Sequence, residues 1–208
     1  MSIAYNATVP LNGLEICLDT GNPKSYPGSG SSWKNLKTNT TFSGSDYATS
    51  SWANNITQLT ICTVVEKTGN DPGYASHPIS KWNGGTGNSS FVLYHFGASG
   101  GQGSFNFYYT YNSTWAGQGV TTLTVGQKAH MVFQWNSSTG GQVWLNGNKV
   151  GGRNGSGLLG VSGTGAIDVY APTVSPYTTV HHAAFYSYEL SDAEVIQHYR
   201  SVGKRFSL

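Results

Sequence analysis

Alternation with a period of two runs through most of this chain. In "GLEICLDTG" (13–21) Leu14, Ile16 and Leu18 recur on one side, and "NITQLTICTVVEKTG" (55–69) repeats the pattern through Leu59, Ile61, Thr63 and Val65. Similar runs follow at short spacing: "SFVLYHFG" (90–97), "SFNFYYTYN" (104–112), "KAHMVFQWN" (128–136), "GQVWLNGNKVG" (141–151), "AIDVYA" (166–171) and "VHHAAFYSYE" (180–189). Clusters of Gly, Asn and Ser separate them. Successive strand side chains point to opposite faces, so these runs predict half-buried strands of an antiparallel sandwich or barrel. Asn146-Gly147, between two strand-like halves, is a strong hairpin signal because both residues accept positive φ.

"ELSDAEVIQHYRSVGKRF" (189–206) breaks the pattern and predicts one short helix. Ser191 is the N-cap and Glu194 stands at N3, so "SDAE" forms a capping box. Leu190 and Val195 are placed for a hydrophobic staple, Val195, Ile196 and Tyr199 form a narrow apolar stripe, and Gly203 is suited to a left-handed stop. About three turns of helix are not stable alone. This one is expected to dock on an edge or end of the sandwich and shield it from edge-to-edge pairing.

Composition agrees with an all-β chain. Charged residues make up 10% of the 208 and aromatics 13%, with 28 Gly, whereas an average soluble chain is about 25% charged. The length suits one domain, expected over 13–208, with residues 1–12 as an N-terminal arm or first edge strand. The net charge of +2 is spread along the chain, and Arg200, Lys204 and Arg205 are too small a cluster for a nucleic-acid footprint. No apolar run reaches the roughly 20 residues that cross a bilayer, so no membrane insertion is expected. "MSIAYNATVPLNG" lacks a basic stretch followed by an apolar one, which implies synthesis in a cytoplasm without a signal peptide. Cys17 and Cys62 lie in separate strands outside any Cys/His metal spacing, and read as free buried thiols or as a disulfide between neighbouring strands.

The order of motifs resembles the concanavalin A-like jelly rolls of the laminin-G type, in the versions found in bacteriophage virion proteins. "GLEICLDTGNPKSYPGSGSSWKNL" (13–36) resembles their first strand and "HMVFQWNSSTGGQVWLNGNKVG" (130–151) their two-strand hairpin unit. "AAFYSYELSDAEVIQHYRS" (183–201) resembles the closing strand and helix, and "GKRFSL" the terminus. The resemblance implies an all-β antiparallel jelly-roll sandwich with one short C-terminal helix. A fold of this kind hosts lectins, glycosidases and structural parts alike, so function must be argued from sites.

A glycosidase needs two carboxylates facing across a cleft. Of the nine acids, Glu189, Asp192 and Glu194 are accounted for by the helix start, Asp19 reads as a turn former, and no Ser/His/Asp nucleophile pattern appears; no enzyme is expected. No metal or cofactor is expected either. A structural calcium ion is compatible with Asp71 or Asp168, but neither sits in an Asp-rich loop. His181 and His182 are adjacent in a strand, hence on opposite faces, and are not a chelating pair. Sugar sites stack pyranoses on exposed rings flanked by amides. "SKWNGGTGNSS" offers Trp82 with Asn83, and "YTYNSTWAGQG" offers Tyr111 with Trp115, as glycan-binding candidates. Trp33, Trp52, Trp135 and Trp144 read as core residues.

These observations lead to the expectation of a non-enzymatic virion structural protein on the phage exterior, a capsid decoration protein or else a tail or fibre component. Its partners are then other virion proteins, and a homo-oligomer is compatible with the composition. The alternative is a carbohydrate-binding module for host-surface glycans.

Overall fold

The computed structural model describes residues 9–30, 32–39, 41–43, 55–69, 75–81, 91–97, 102–160, 167–169 and 177–208. The strands are β1 (Leu14–Asp19), β2 (Ser32–Lys34), β3 (Thr41–Ser43), β4 (Gln58–Lys67), β5 (Ala75–Lys81), β6 (Phe91–Gly97) and β7 (Gln102–Tyr111). They continue with β8 (Thr114–Thr124), β9 (Lys128–Asn136), β10 (Gly140–Leu145), β11 (Asn148–Asn154), β12 (Asp168–Val169) and β13 (Thr178–Tyr186), and α1 (Asp192–Phe206) closes the chain. A six-stranded sheet, β1-β13-β4-β9-β10-β11, faces a five-stranded one, β12-β5-β6-β7-β8, and all pairings are antiparallel. The chain is an all-β jelly-roll sandwich with one C-terminal helix, as expected. Of the proposed arm, residues 1–8 lie outside the described residues.

The core between the sheets follows the alternation. Leu59, Ile61, Val65, Phe133 and Trp135 meet Phe91, Leu93, Phe105, Phe107 and Tyr109, all fully buried. Phe107 stacks on Phe133 at 5.5 Å and Tyr109 leans on Trp135 at 5.3 Å. Trp33 joins this core, while Trp144 is buried on the opposite side of the six-stranded sheet; Trp52 lies outside the described residues. Asn146-Gly147 forms the expected hairpin turn with φ of 48° and 77°. A Cβ at Gly147 would lie 2.8 Å from the Tyr199 ring, so the turn and the helix contact both demand glycine.

Two bulges decide which residues reach that opposite side. A register shift between Leu14 and Ile16 turns Leu14 away from Ile16 and Leu18, correcting the expectation that the three share a face. A second shift at His181 sends Val180 into the core and His182 outward, although two positions apart they would otherwise point the same way.

The outer face of the six-stranded sheet therefore presents three rows. Tyr186, Thr60, Gln134 and Gln142 form the first. Thr60 Oγ1 donates to the Tyr188 carbonyl and accepts from the Leu190 amide, and Gln134 Nε2 donates to the Leu190 carbonyl, so this row clasps the segment leading into α1. Cys17, Ala184, Cys62, Val132 and Trp144 form the second. Cys17 and Cys62 flank Ala184, two strand spacings or ~9.6 Å apart, beyond the ~7 Å that a disulfide spans; both are buried and neither is in a disulfide. Asp19, His182, Val64 and His130 form the third.

α1 lies on this face rather than on an edge. The capping box is formed, with Ser191 Oγ accepting from the Glu194 amide and Glu194 Oε2 accepting from the Ser191 amide. Its buried side is Val195, His198, Val202 and Phe206, a spacing of three, four and four residues. Ile196 and Tyr199 are only half-buried, which shifts the expected stripe round the helix. Nor does the helix stop at Gly203. Phe206 packs with Val64 and Val202, and Ser207 takes the left-handed cap at φ 58°. Each buried apolar side chain contributes about 1.5–3 kcal/mol.

His198 is the polar member of that side. Its Nδ1 lies 3.0 Å from His130 Nε2 and its Nε2 lies 3.3 Å from His182 Nε2. His182 Nδ1 faces Asp19 Oδ2 at 3.7 Å, and Arg205 from the last turn of α1 pairs with the same oxygen at 2.6 Å. Burial would raise the Asp19 carboxyl, but His182, Arg205 and the Gly21 amide outweigh it and hold Asp19 below its ordinary range. A proton on His182 Nδ1 facing that carboxylate makes Nε2 an acceptor. His198 then donates from Nε2 and accepts at Nδ1, and His130 donates from Nε2. The chain of bonds thus runs one way, toward Asp19. Burial, and secondarily the charge His182 could carry, pushes His130 down to about 3, and His198 is depressed for the same reasons.

His198→Ala should lower the unfolding free energy by about 3 kcal/mol, because it leaves two buried imidazoles short of a partner; urea denaturation measures it. Gly147→Ala should cost about 1–2 kcal/mol for its left-handed φ alone, with the same readout.

Candidate functional site

With α1 over one outer face, the outer face of the five-stranded sheet is the one that no described helix covers. Its residues follow from register. Tyr94 stands opposite Asn106, Phe96 opposite Ser104, and Val92 opposite Tyr108. On the next strand Asn106 faces Gly119, Tyr108 faces Gly117, and Thr110 faces Trp115. The alternate residues Phe91, Leu93, Phe105, Phe107 and Tyr109 are in the core, so Tyr94, Phe96, Asn106, Tyr108 and Trp115 point outward.

The rings form one connected row across four strands. Trp115 and Tyr108 are parallel at 5.3 Å, with their planes 13° apart. Tyr108 meets Tyr94 edge-on at 5.2 Å, and Tyr94 stacks on Phe96 at 5.1 Å. His77 of β5 closes the row against Tyr94 at 4.2 Å. Three strand spacings of ~4.8 Å make the row ~14 Å long. Gly117 makes it possible, because a side chain there would collide with the Tyr108 ring. Phe96 is 36% exposed and the other rings are half-buried.

The face is polar in small measure, and register places one described carboxylate on it: Asp168 stands opposite Ser80, in the row that runs through Val92 to Tyr108, while its neighbour Val169 is in the core. Asn106 donates to Ser104 Oγ at 3.4 Å, leaving an amide beside Tyr94 and Tyr108. Burial lowers His77 below its ordinary value and keeps it neutral at pH 7. Burial, then the neighbouring Tyr108, pushes the Tyr94 hydroxyl up to about 12. Such a surface can stack planar or ring-shaped apolar faces and exchange hydrogen bonds at its margins.

Only one expected residue lies on this face. Trp82 and Asn83 lie outside the described residues. Tyr111 packs against Trp135 and Tyr109 on the core side, with Trp115 on the outer side, so the two do not share a site. They were expected in one loop, but Asn112 and Ser113, both at positive φ, close a tight two-residue hairpin and place Trp115 in a strand. Tyr94, Phe96 and Tyr108 were hidden inside runs that read as ordinary strands. The signal was the Tyr or Phe on the phase opposite to the core residues in "FVLYHF" and "FNFYYTY".

The other described carboxylates are engaged elsewhere. Glu15 pairs with Lys37, Glu66 with His181 and Lys128, Glu189 with Arg153, and Asp192 with Lys149. Asp19 belongs to the histidine chain and Glu194 to the capping box. Asp46 and Asp71 lie outside the described residues. No described helix is long and apolar enough to cross a membrane.

Comparison with known proteins adds the fold context. No family model and no curated protein sequence matches the chain. Among solved structures the chain is similar to Trypanosoma rangeli sialidase, at 16% identity and a TM-score of 0.62 over 95% of this chain and 34% of that one. A complex of that sialidase with sialic acid matches at 15% identity and a TM-score of 0.61. The binding domain of botulinum neurotoxin serotype G matches at 9% identity and a TM-score of 0.51, over 72% of this chain and 37% of that one. The chain thus spans about a third of the length of the sialidase. A β-sandwich fold is what these likenesses share with it.

Gly117→Val should tip Tyr108 off Trp115 and cost about 1–3 kcal/mol, as overpacking does. A reduced near-UV circular dichroism signal with unchanged far-UV signal is the expected result.

Proposed function

We propose that this chain is a non-enzymatic recognition module whose uncovered aromatic face binds neutral glycans. The observation that carries the reading is the row Trp115–Tyr108–Tyr94–Phe96, held open by Gly117 and flanked by Asn106. Pyranose rings stack on aromatic faces through their C–H surfaces while amides bind their hydroxyls. With His77 the row spans three strand spacings, ~14 Å, and accommodates more than one sugar ring. The described part of the face has no Arg or Lys to pair with a sugar carboxylate, which argues for neutral saccharides over acidic ones. Neighbours named for a sialidase bound to sialic acid and for a toxin binding domain agree in fold with such a role. The engaged carboxylates support a reading without catalysis.

The setting we infer is the exterior of a phage particle, as a capsid decoration protein or a tail or fibre component in contact with other virion proteins. This rests on the ordered motifs 13–36, 130–151 and 183–201 and their resemblance to virion sandwiches. Gold-labelled antibody on intact particles checks it. Label at regular capsid or tail positions is expected, and particles without label defeat it.

A glycan array probed with purified protein tests the recognition role. Binding to neutral oligosaccharides should fall about tenfold, or about 1.4 kcal/mol, in Trp115→Ala and in Tyr108→Ala. Tyr111→Phe, on the core side, should leave it unchanged. Silence across the array, or equal binding by all three variants, would sink the proposal.

A further inference from the structure

Between α1 and the six-stranded sheet lies a second group that the aromatic face does not use. The Cys62 sulfur and a ring nitrogen from each of His130 and His198 lie within 4.8 Å of one another, and all three residues are fully buried. They come from three elements. Cys62 is on β4, His130 is on β9 one row further along the same outer face, and His198 descends from α1 between His130 and His182.

We propose that Cys62, His130 and His198 form a buried thiolate–imidazole site for a d10 metal ion, and that charge balance selects Cu(I) over Zn(II). Soft thiolate with imidazole is the donor set such ions prefer. Metal–nitrogen bonds of ~2.0 Å and metal–sulfur bonds of ~2.3 Å place donors ~3.3–3.8 Å apart. The facing nitrogens are 3.0 Å apart and the sulfur is within 4.8 Å, so shifts of about an ångström or less seat an ion.

The hydrogen-bond chain prepares the second histidine. His182, anchored toward Asp19, accepts from His198 Nε2, which leaves the His198 Nδ1 lone pair facing His130. A histidine ligand oriented through its other nitrogen by a polar partner is the usual outer arrangement of a metal site. His130 turns its Nε2 to the ion by moving its proton to Nδ1, an atom with no hydrogen-bond partner among the described residues. The Cys62 thiol loses its proton to solvent as the metal–sulfur bond forms. Burial holds that thiol protonated while no metal is bound.

Charge then discriminates. One thiolate, two neutral imidazoles and a monovalent ion sum to zero, which a dry site tolerates. Zn(II) with the same three ligands leaves an uncompensated positive charge and calls for a fourth ligand. Access requires α1 to lift, so loading is slow or accompanies folding.

The test is an anaerobic titration of the full chain with Cu(I) against a competing chromophoric Cu(I) chelator, with Zn(II) as a parallel arm. One equivalent of Cu(I) per chain and a raised Tm are expected. Cys62→Ser should weaken Cu(I) binding at least 100-fold, whereas Cys17→Ser, a buried thiol in the same row, should bind as the wild type does. His182→Gln should keep the stoichiometry and lose about 10–100-fold in affinity. X-ray absorption on the copper-loaded wild type needs no variant and should show one sulfur and two nitrogens. No stoichiometric binding of either ion, or a metal shell without sulfur, overturns the site. Binding of Zn(II) through Cys62 with no uptake of Cu(I) overturns the copper assignment.

Discussion

A fifteen-residue amphipathic segment is not a stable helix in water by itself, so α1 exists because one face of the sandwich receives it. That dependence runs both ways. β4, β9 and β13 are buried on both sides only because Val195, His198, Val202 and Phe206 cover their outer face. Without the helix, Cys62, Val64, Val132 and Tyr186 would face water beside three imidazoles. Seating α1 thus closes the outer face of the six-stranded sheet, whereas the outer face of the five-stranded sheet has no described helix on it and carries the half-exposed rings.

The two faces differ in how their polar atoms are treated. Under α1 the polar side chains are tied to one another or to the backbone: Thr60 and Gln134 to the incoming segment, Asp19 to Arg205, and the histidines to one another through one ring nitrogen or both, with His130 Nδ1 left over. On the five-stranded sheet the contacts are ring on ring, with glycine opposite Tyr108 and Asn106 to leave them room. Ring stacking with little charge suits a surface that exchanges one set of weak contacts for another.

Much of the fold was legible because alternation and turn chemistry are local. β1, β4, β6, β7, β9, β10, β11 and β13, the Asn146-Gly147 turn and the capping box at Ser191 all announce themselves in short windows. What failed to show has a physical reason in each case. β8 reads as a loop because Gly117 and Gly119, which make space for Tyr108 and Asn106 on the neighbouring strand, look like turn residues in sequence. Leu14 changed face because a bulge inverts the phase of everything beyond it, and a bulge has no residue signature here. The helix face was misplaced because His198 does not count as apolar, although it is as buried as Val195. The candidate rings were sought in Gly/Asn loops, where a single exposed Trp is conspicuous, and not as the polar phase of an aromatic strand. The Cys62, His130 and His198 group could not be found by spacing at all, since three separate elements supply it.

That group also bears on why the interface beneath α1 is polar. Well-packed apolar residues are often as stabilising as a buried polar network, or more so, and a network with one partner missing is costly. Leu or Met at the three histidine positions would have served docking alone. Imidazoles linked in one direction toward Asp19 do two things that apolar packing does not. They fix the rotation and register of α1, since a one-residue slip would carry His198 away from both His130 and His182 and orphan two buried rings. They also hold one lone pair of His198 aimed at a chosen point. Register alone needs the histidines and the aspartate; it does not need a thiol. Cys62 stands two residues before Val64 on the same face of β4, where Ala or Val would pack as well. The sulfur is thus the member of the cluster that docking leaves unexplained, and coordination gives it a role.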